Sequence, residues 1–125
     1  MIDTPDYTDN GDGTVTDNGT GLVWQQVLSM ELLTQAQAAA YCASLNLNGY
    51  TDWRLPSIVE LVSIVDPTQY NSAISNTYFP NTPASFYWST TPDASAAGLV
   101  WTVTFDVGSI TSAGVIESGY ARCVR

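Results

Sequence analysis

Two cysteines, Cys42 and Cys123, lie 81 positions apart in a chain of 125 residues, and this pair limits the possible folds more than any other sequence feature. The chain has no histidine, so two cysteines alone cannot complete a tetrahedral zinc site. They are either two buried thiols or one disulfide that closes most of the chain. In the loop-entropy description such a disulfide would contribute about 4–5 kcal/mol, and it would indicate an exported protein.

The charge balance restricts the partners of the chain. Three arginines are the only bases against 12 acidic residues, which gives a net charge of −9. Binding to a polyanion depends on several Lys or Arg side chains on one face, so we expect no nucleic-acid partner. We also expect no membrane insertion, because no run of about 18 apolar residues occurs. The length and uniform composition predict a single domain over residues 1–125.

Residues 7–25 predict a three-stranded meander or a pair of hairpins. Asn-Gly dipeptides at 10–11 and 18–19 flank a β-favouring run at 14–16, and a second such run follows at 22–24. Asn-Gly favours the positive φ angles that tight hairpin turns require.

The same turns carry Asp9, Asp12 and Asp17, which could hold a loosely bound calcium ion. An EF-type loop with Gly13 at its sixth position would need an acid at each end, where the chain has Thr8 and Gly19. The favoured interpretation is therefore a pair of tight turns stabilised by Asn, Asp and Gly, with no cofactor.

Residues 34–45 are predicted to form the first helix. Thr34 and Gln37 match a capping box, and alanines, the best helix formers, follow. The i, i+3, i+4, i+7 spacing predicts one buried face that points Cys42 at the core, and this face comprises Ala38, Tyr41, Cys42 and Leu45.

A second helix is predicted after Pro56, with a capping box formed by Ser57 and Glu60. Val59 and Ile64 widen its apolar stripe, so we expect this helix to be covered on two sides. The stripe itself comprises Ile58, Leu61, Val62 and Val65.

The remainder of the chain predicts strands at 86–90, 99–106, 110–116 and 119–125. Residues 99–106 alternate, with the apolar residues Leu99, Trp101, Val103 and Phe105 on one face. In the last strand the same alternation places Ala121, Cys123 and Arg125 together. The order of hairpins, two helices and a mainly antiparallel twisted sheet predicts an α+β fold.

Five stretches, in this order, resemble the Legionella collagen-like protein C-terminal domain family. They read "DNGDGTVTDNGTGLVWQ", "YC…GYTDWRLPSIVELVSIVD", "YWSTT", "WTVTFDVG" and "YARCVR", and the resemblance runs from about residue 7 to residue 125. More distantly, Arg54-Leu55-Pro56 with Glu60, together with residues 119–122, resembles the formylglycine-generating sulfatase-modifying family.

Both resemblances imply a C-type-lectin-like fold, in which a cysteine of the first helix pairs with one of the last strand. Cys42 and Cys123 occupy those two places. We interpret Arg54 as a structural arginine whose guanidinium satisfies buried carbonyls or a carboxylate where the helices meet the sheet, with Glu60 in the same motif. Arg122 is expected to act in the same way from the final strand.

The composition argues against an enzyme. Without histidine, Ser-His and Cys-His nucleophiles are unavailable. The sulfatase-modifying enzymes work through cysteines, and both cysteines of this chain are assigned to the cross-link. The sugar-binding calcium motif of true C-type lectins is also absent.

We therefore expect a non-enzymatic recognition or adhesion module that binds a glycan or a protein, in a secreted, periplasmic or cell-surface setting. The alternative is a structural cap or oligomerisation domain without a soluble ligand, for example a homotrimer, as in some adhesin relatives. Those relatives engage glycosaminoglycans, for which this chain lacks the basic surface.

The ligand surface is expected over the late sheet, in loops 91–98 and 107–118, whose small polar residues fit a recognition loop or a plain exposed turn. Trp88 and Trp101 could stack on a sugar, although a tryptophan that alternates with Val and Phe on a strand is more often a core residue. The candidate residues are Tyr87, Trp88, Asp93, Ser95, Trp101, Asp106, Ser109 and Glu117.

Overall fold

Two antiparallel three-stranded sheets and two short helices form the α+β architecture of the described residues. A computed structural model describes residues 6–29, 31–66, 68–69, 72–75 and 77–125. The elements, in chain order, are β1 Tyr7–Asp9, β2 Thr14–Asp17, β3 Val23–Gln25, α1 Gln35–Ala43, α2 Ile58–Val62, β4 Phe86–Pro92, β5 Leu99–Thr104 and β6 Ser109–Gly114.

The first sheet is the meander expected from the two Asn-Gly turns, with strand order β1-β2-β3. Gly11 and Gly13 adopt φ angles of 75° and 88° in the first turn, a region that side chains disfavour. Val15 and Trp24 are opposite each other on neighbouring strands and are fully buried.

Helix α1 begins as predicted. Thr34 is the N-cap, and its side chain accepts from the backbone N–H of Gln37 while the Gln37 side chain accepts from the Thr34 N–H. Ala38 and Cys42 are fully buried, which confirms the predicted inner face.

Helix α2 has the predicted capping box but not the predicted coverage on two sides. It spans only five residues, and it buries Leu61 and, just beyond its end, Ile64. Val59 is 77% exposed and Val62 is 37% exposed. The helix packs on β4 and β5, and Val59 and Val62 face outward.

The second sheet, with strand order β4-β5-β6, is covered on both faces. Tyr87 and Val103 are paired and belong to a core cluster that includes Leu61 of α2. Trp88 and Val100 point to the other face, in a cluster with α1. Strand β5 therefore contributes to a core cluster on each side of the sheet, Val103 to one and Val100 to the other.

Residues 119–125 form no regular strand, contrary to the prediction. They are extended and make isolated bridges to several segments: Gly119 to Leu33, Tyr120 to Tyr87 in parallel, and Val124 to both Trp24 and Arg54. Because each partner contributes only one or two residues, the segment runs between the two sheets instead of extending either one.

Cys42 and Cys123 form a disulfide with their Cα atoms 5.5 Å apart. Both cysteines are fully buried. The bond joins α1 to the C-terminal segment, the two places that the family resemblance implies.

Candidate binding surface

Arg122 is fully buried and is held without a carboxylate ion pair among the described residues. Its Nη1 donates to the Gln25 and Gln26 carbonyl oxygens at 3.0 and 2.5 Å, and its Nη2 donates to Thr82 Oγ1 at 2.9 Å. The guanidinium also lies 4.8 Å from the centre of the Phe79 ring. Burial lowers the pKa of Arg122 to about 10, so the side chain stays charged at neutral pH.

The other two arginines lie at the surface in bidentate ion pairs. Arg54 donates to both carboxylate oxygens of Glu60, each at 2.7 Å, and its side chain is 50% exposed. It is therefore less buried than expected, and its carboxylate partner Glu60 is 22% exposed. Arg125 donates to Asp52 at 2.5 and 3.0 Å and stacks on Tyr50, with its guanidinium 3.6 Å from the ring centre.

The pKa of the Glu60 carboxyl is lowered to about 2, chiefly by its hydrogen bonds with Arg54 and in addition by those with Ser57. Glu60 thus serves two purposes at once. It closes the capping box of α2 through the Ser57 N–H at 2.9 Å and it balances the charge of Arg54.

Two of the expected ligand residues are core residues. Tyr87 and Trp88 are both fully buried, and the indole Nε1 of Trp88 donates to the Leu33 carbonyl at 2.7 Å. Neither ring can contact a ligand in this structure. The sheet is covered on both faces, and that arrangement places two consecutive aromatic residues in two separate cores.

The loop after β4 is organised by Asp93. Its Oδ1 accepts from the Ser95 N–H at 3.0 Å and from the Ser95 hydroxyl at 2.6 Å, and these bonds, the hydroxyl first, lower the pKa of Asp93. Asp93 is only 8% exposed whereas Ser95 is exposed. Asp93 therefore shapes this loop more than it offers a free carboxylate.

The other expected residues lie on or beside the β5–β6 hairpin. Trp101 is half-buried and is paired with Ser112 of β6. Ser109 begins β6 and Glu117 lies in the turn after it, both exposed, and Asp106 is in the turn before the strand. We call residues 106–117 the hairpin surface.

Sequence reasoning missed the apolar side chains of the hairpin surface. Val107 is 60% exposed, Ile110 is 51% exposed and Ile116 is 87% exposed. The predicted strand at 110–116 begins and ends with isoleucine, and this was the available signal. These three exposed apolar side chains lie between Asp106 and Glu117 in the sequence.

The acidic turns of the first sheet use their carboxylates locally. Asp9 accepts from the Gly11 N–H at 2.9 Å, Asp12 from the Thr14 N–H at 3.0 Å and Asp17 from the Gly19 N–H at 2.9 Å. Across the described ranges, no group of three or more His, Cys, Asp or Glu side chains is placed to hold a metal ion. These contacts are those of tight turns, the interpretation favoured by the sequence.

A small concave site lies between the first sheet and α1. It has a volume of about 200 Å³, which is smaller than the volume of several hundred Å³ typical of small-molecule binding sites. At its polar end Gln25 Nε2 donates to the Tyr41 hydroxyl at 2.6 Å, so those groups already satisfy each other. The lining residues are Gly13, Gln25, Val27, Leu28, Tyr41, Leu45 and Leu47.

The chain belongs to the Lcl C-terminal domain family, whose model matches residues 13–125. Membership of this family suggests a domain of a surface protein. No curated protein matches the chain significantly. Among the helices of the described residues, none has the length and apolar character needed to span a bilayer.

Proposed function

We propose that this domain is a non-enzymatic recognition module of a secreted, periplasmic or cell-surface protein, and that it binds a glycan or protein partner through the hairpin surface. The observation that carries the proposal is the exposure of Val107, Ile110 and Ile116 on one hairpin and the turn after it. Solvent-exposed apolar groups rimmed by polar residues mark interaction sites more often than chance. The buried disulfide supports an oxidising compartment.

The same proposal includes a C-type-lectin-like scaffold, with a distant relation to the sulfatase-modifying family. Its support is the cross-link between α1 and the C-terminal segment. The non-enzymatic part is supported by the absence of histidine and by the use of both cysteines in that cross-link.

The test is a binding screen of the domain against immobilised neutral glycans and extracellular proteins, repeated with two matched variants. Ile110→Asp places a charge on the hairpin surface, and Val59→Asp places one at an exposed position of α2. A ligand of the hairpin surface should bind about tenfold more weakly to Ile110→Asp and unchanged to Val59→Asp. A ligand whose affinity both variants leave intact would contradict the placement of the site.

The second candidate is a cap or oligomerisation domain without a soluble ligand. Val59 and Val62 favour it, because they leave an apolar stripe of α2 uncovered. Sedimentation equilibrium separates the two functions. A stable homotrimer that Val59→Asp dissociates would support the cap, whereas a monomer at working concentrations would support recognition.

A further inference from the structure

Strand β6 is the outer strand of the second sheet. It pairs with β5 on one side, and no other strand of the described ranges pairs with it on the other side. The Val115 N–H donates to the Gly98 carbonyl at 3.0 Å, so the backbone N–H of residue 115 points toward the β5 side of the strand. Along a strand, the backbone N–H and C=O groups of successive residues point alternately to its two sides. Those of Ile110, Ser112 and Gly114 therefore point outward, away from β5.

The contact of Glu117 agrees with this orientation. Its Oε2 accepts from the Gly114 N–H at 2.6 Å, which occupies the last outward donor of the strand. Ile110 and Ser112 therefore present the outward N–H and C=O groups that a further strand would need.

Strand β6 also lacks the usual protection of a sheet edge. Its sequence, Ser-Ile-Thr-Ser-Ala-Gly, contains no charged residue and no proline, and its first four residues are exposed. The irregularity of this sheet lies in the β4–β5 pairing, away from the edge. Proteins normally block such an edge with lysine, proline or a bulge, because an open edge is a template for another strand.

The negative charge around β6 favours a basic binding partner at this edge. Asp106 precedes the strand and Glu117 follows it, in a chain with a net charge of −9. All three arginines are engaged, two in ion pairs and Arg122 in the core. A second copy of the domain would bring the same negative charge to the edge, whereas a basic segment would be attracted to it.

We propose that β6 is a strand-addition site for an extended, lysine- or arginine-containing segment of a protein partner. This inference rests on the proposed recognition function and names its partner class. The incoming strand pairs its backbone with Ile110 and Ser112, and its alternate side chains pack on the exposed Ile110. Its basic side chains lie near Asp106 and Glu117, and the resulting affinity decreases with salt.

The experiment uses a synthetic nonapeptide that alternates lysine with valine and threonine, and a counterpart with glutamate in place of lysine. Ser112→Pro removes the outward N–H of Ser112 and leaves the groups that pair with β5 in place. Ser112→Ala keeps that N–H and is the matched control. We expect the basic peptide to bind the wild type and Ser112→Ala equally, and Ser112→Pro about tenfold more weakly.

Circular dichroism establishes that each variant is folded before its affinity is measured by titration calorimetry. Equal binding of the glutamate peptide would overturn the charge assignment, and full binding to Ser112→Pro would overturn the edge assignment. Dimerisation of the wild type that Ser112→Pro abolishes would make a second copy the occupant and overturn the proposal. No binding of the basic peptide up to about millimolar concentration would also overturn it. A glycan or protein hit that depends on Ile110 but not on the Ser112 N–H would leave the recognition function standing without this inference.

Discussion

At the scale of single residues, the three arginines balance their charge in three different ways. Arg54 and Arg125 each form a bidentate ion pair at the surface. In the core, Arg122 donates to two carbonyl oxygens and a hydroxyl, lies against the Phe79 ring and interacts with Tyr87. If a buried guanidinium loses these acceptors, no water replaces them. A surface guanidinium that loses its partner is hydrated instead.

Arg122→Lys should therefore lower the free energy of unfolding by about 2–3 kcal/mol, because one ammonium cannot reach three acceptors arranged for a planar fork. Arg54→Lys is the matched control and should lower it by less than about 1 kcal/mol. Urea denaturation of both variants measures the difference. Equal losses of unfolding free energy in the two variants would show that the buried hydrogen bonds of Arg122 contribute no more to stability than a surface ion pair.

The Arg54–Glu60 pair predicts a pH dependence. The carboxyl of Glu60 titrates near 4.5 when unfolded and at about 2 in the native state. Its pKa is lowered on folding, so its contribution is complete above pH 4.5 and is lost as the pH falls toward 2. Solvent screening of the half-exposed Arg54 limits this contribution to about 1 kcal/mol.

Glu60→Gln isolates this effect, because glutamine keeps the capping box but cannot titrate. We expect the wild type to be more stable than the variant at pH 6 and the difference to disappear by about pH 2. Thermal unfolding of both proteins across this range is the measurement. A difference that stays constant with pH would assign the effect to helix capping alone.

Sequence patterns predicted some of these residues and not others. The capping box formed by Ser57 and Glu60 is a local pattern, and the structure has it. The burial of both Tyr87 and Trp88 depends on apolar layers supplied by distant segments, so the strand alone does not determine it. Ile110 is a comparable case, since the sequence of β6 does not show that this isoleucine is exposed.

At the scale of elements, the extended C-terminal segment lies closely against β4. Gly119 exchanges two backbone hydrogen bonds with Leu33, at 2.7 and 2.8 Å. A Cβ atom built on Gly119 would lie 2.4 Å from the Phe86 ring. That ring is itself fixed edge-on against Trp88, with 5.5 Å between the ring centres.

Gly119→Ala should therefore destabilise the domain by about 2 kcal/mol, because the Phe86 ring must move and repack. Gly114→Ala is the control, since its Cβ would meet only the flexible end of Glu117, at 3.4 Å. Its loss should be below about 1 kcal/mol. Chemical denaturation measures the loss of unfolding free energy in each variant. A larger loss for Gly114→Ala than for Gly119→Ala would contradict the packing argument.

The elements differ in how well their own sequence predicts them. Helix α1 was predictable because its cap, its alanines and its buried face all lie within ten consecutive positions. The segment at 119–125 was predicted as a regular strand because its residues alternate in type. Its actual pairing is divided among Leu33, Arg54, β3 and β4, and no local pattern contains that information.

At the scale of the whole molecule, the C-terminal segment connects both sheets and both core clusters. It bonds to β3 through Val23 and Gln25, while the disulfide fixes it to α1. Val124 belongs to one core cluster and Cys123 to the other. The cross-link therefore acts on the arrangement of the whole chain and not on a single element.

Reduction should consequently destabilise the whole domain. The bond closes a separation of 81 residues, so its loss removes about 4–5 kcal/mol by the loop-entropy description. Alkylation under denaturing conditions without reductant should add no mass, which establishes the bond before stability is measured. Urea unfolding of the wild type should then shift strongly on adding dithiothreitol, while Cys42→Ala/Cys123→Ala should unfold at one midpoint in both conditions. Two alkylated thiols in the untreated protein, or a wild-type midpoint insensitive to reductant, would mean that the contacts of residues 119–125 hold the two sheets together without the bond.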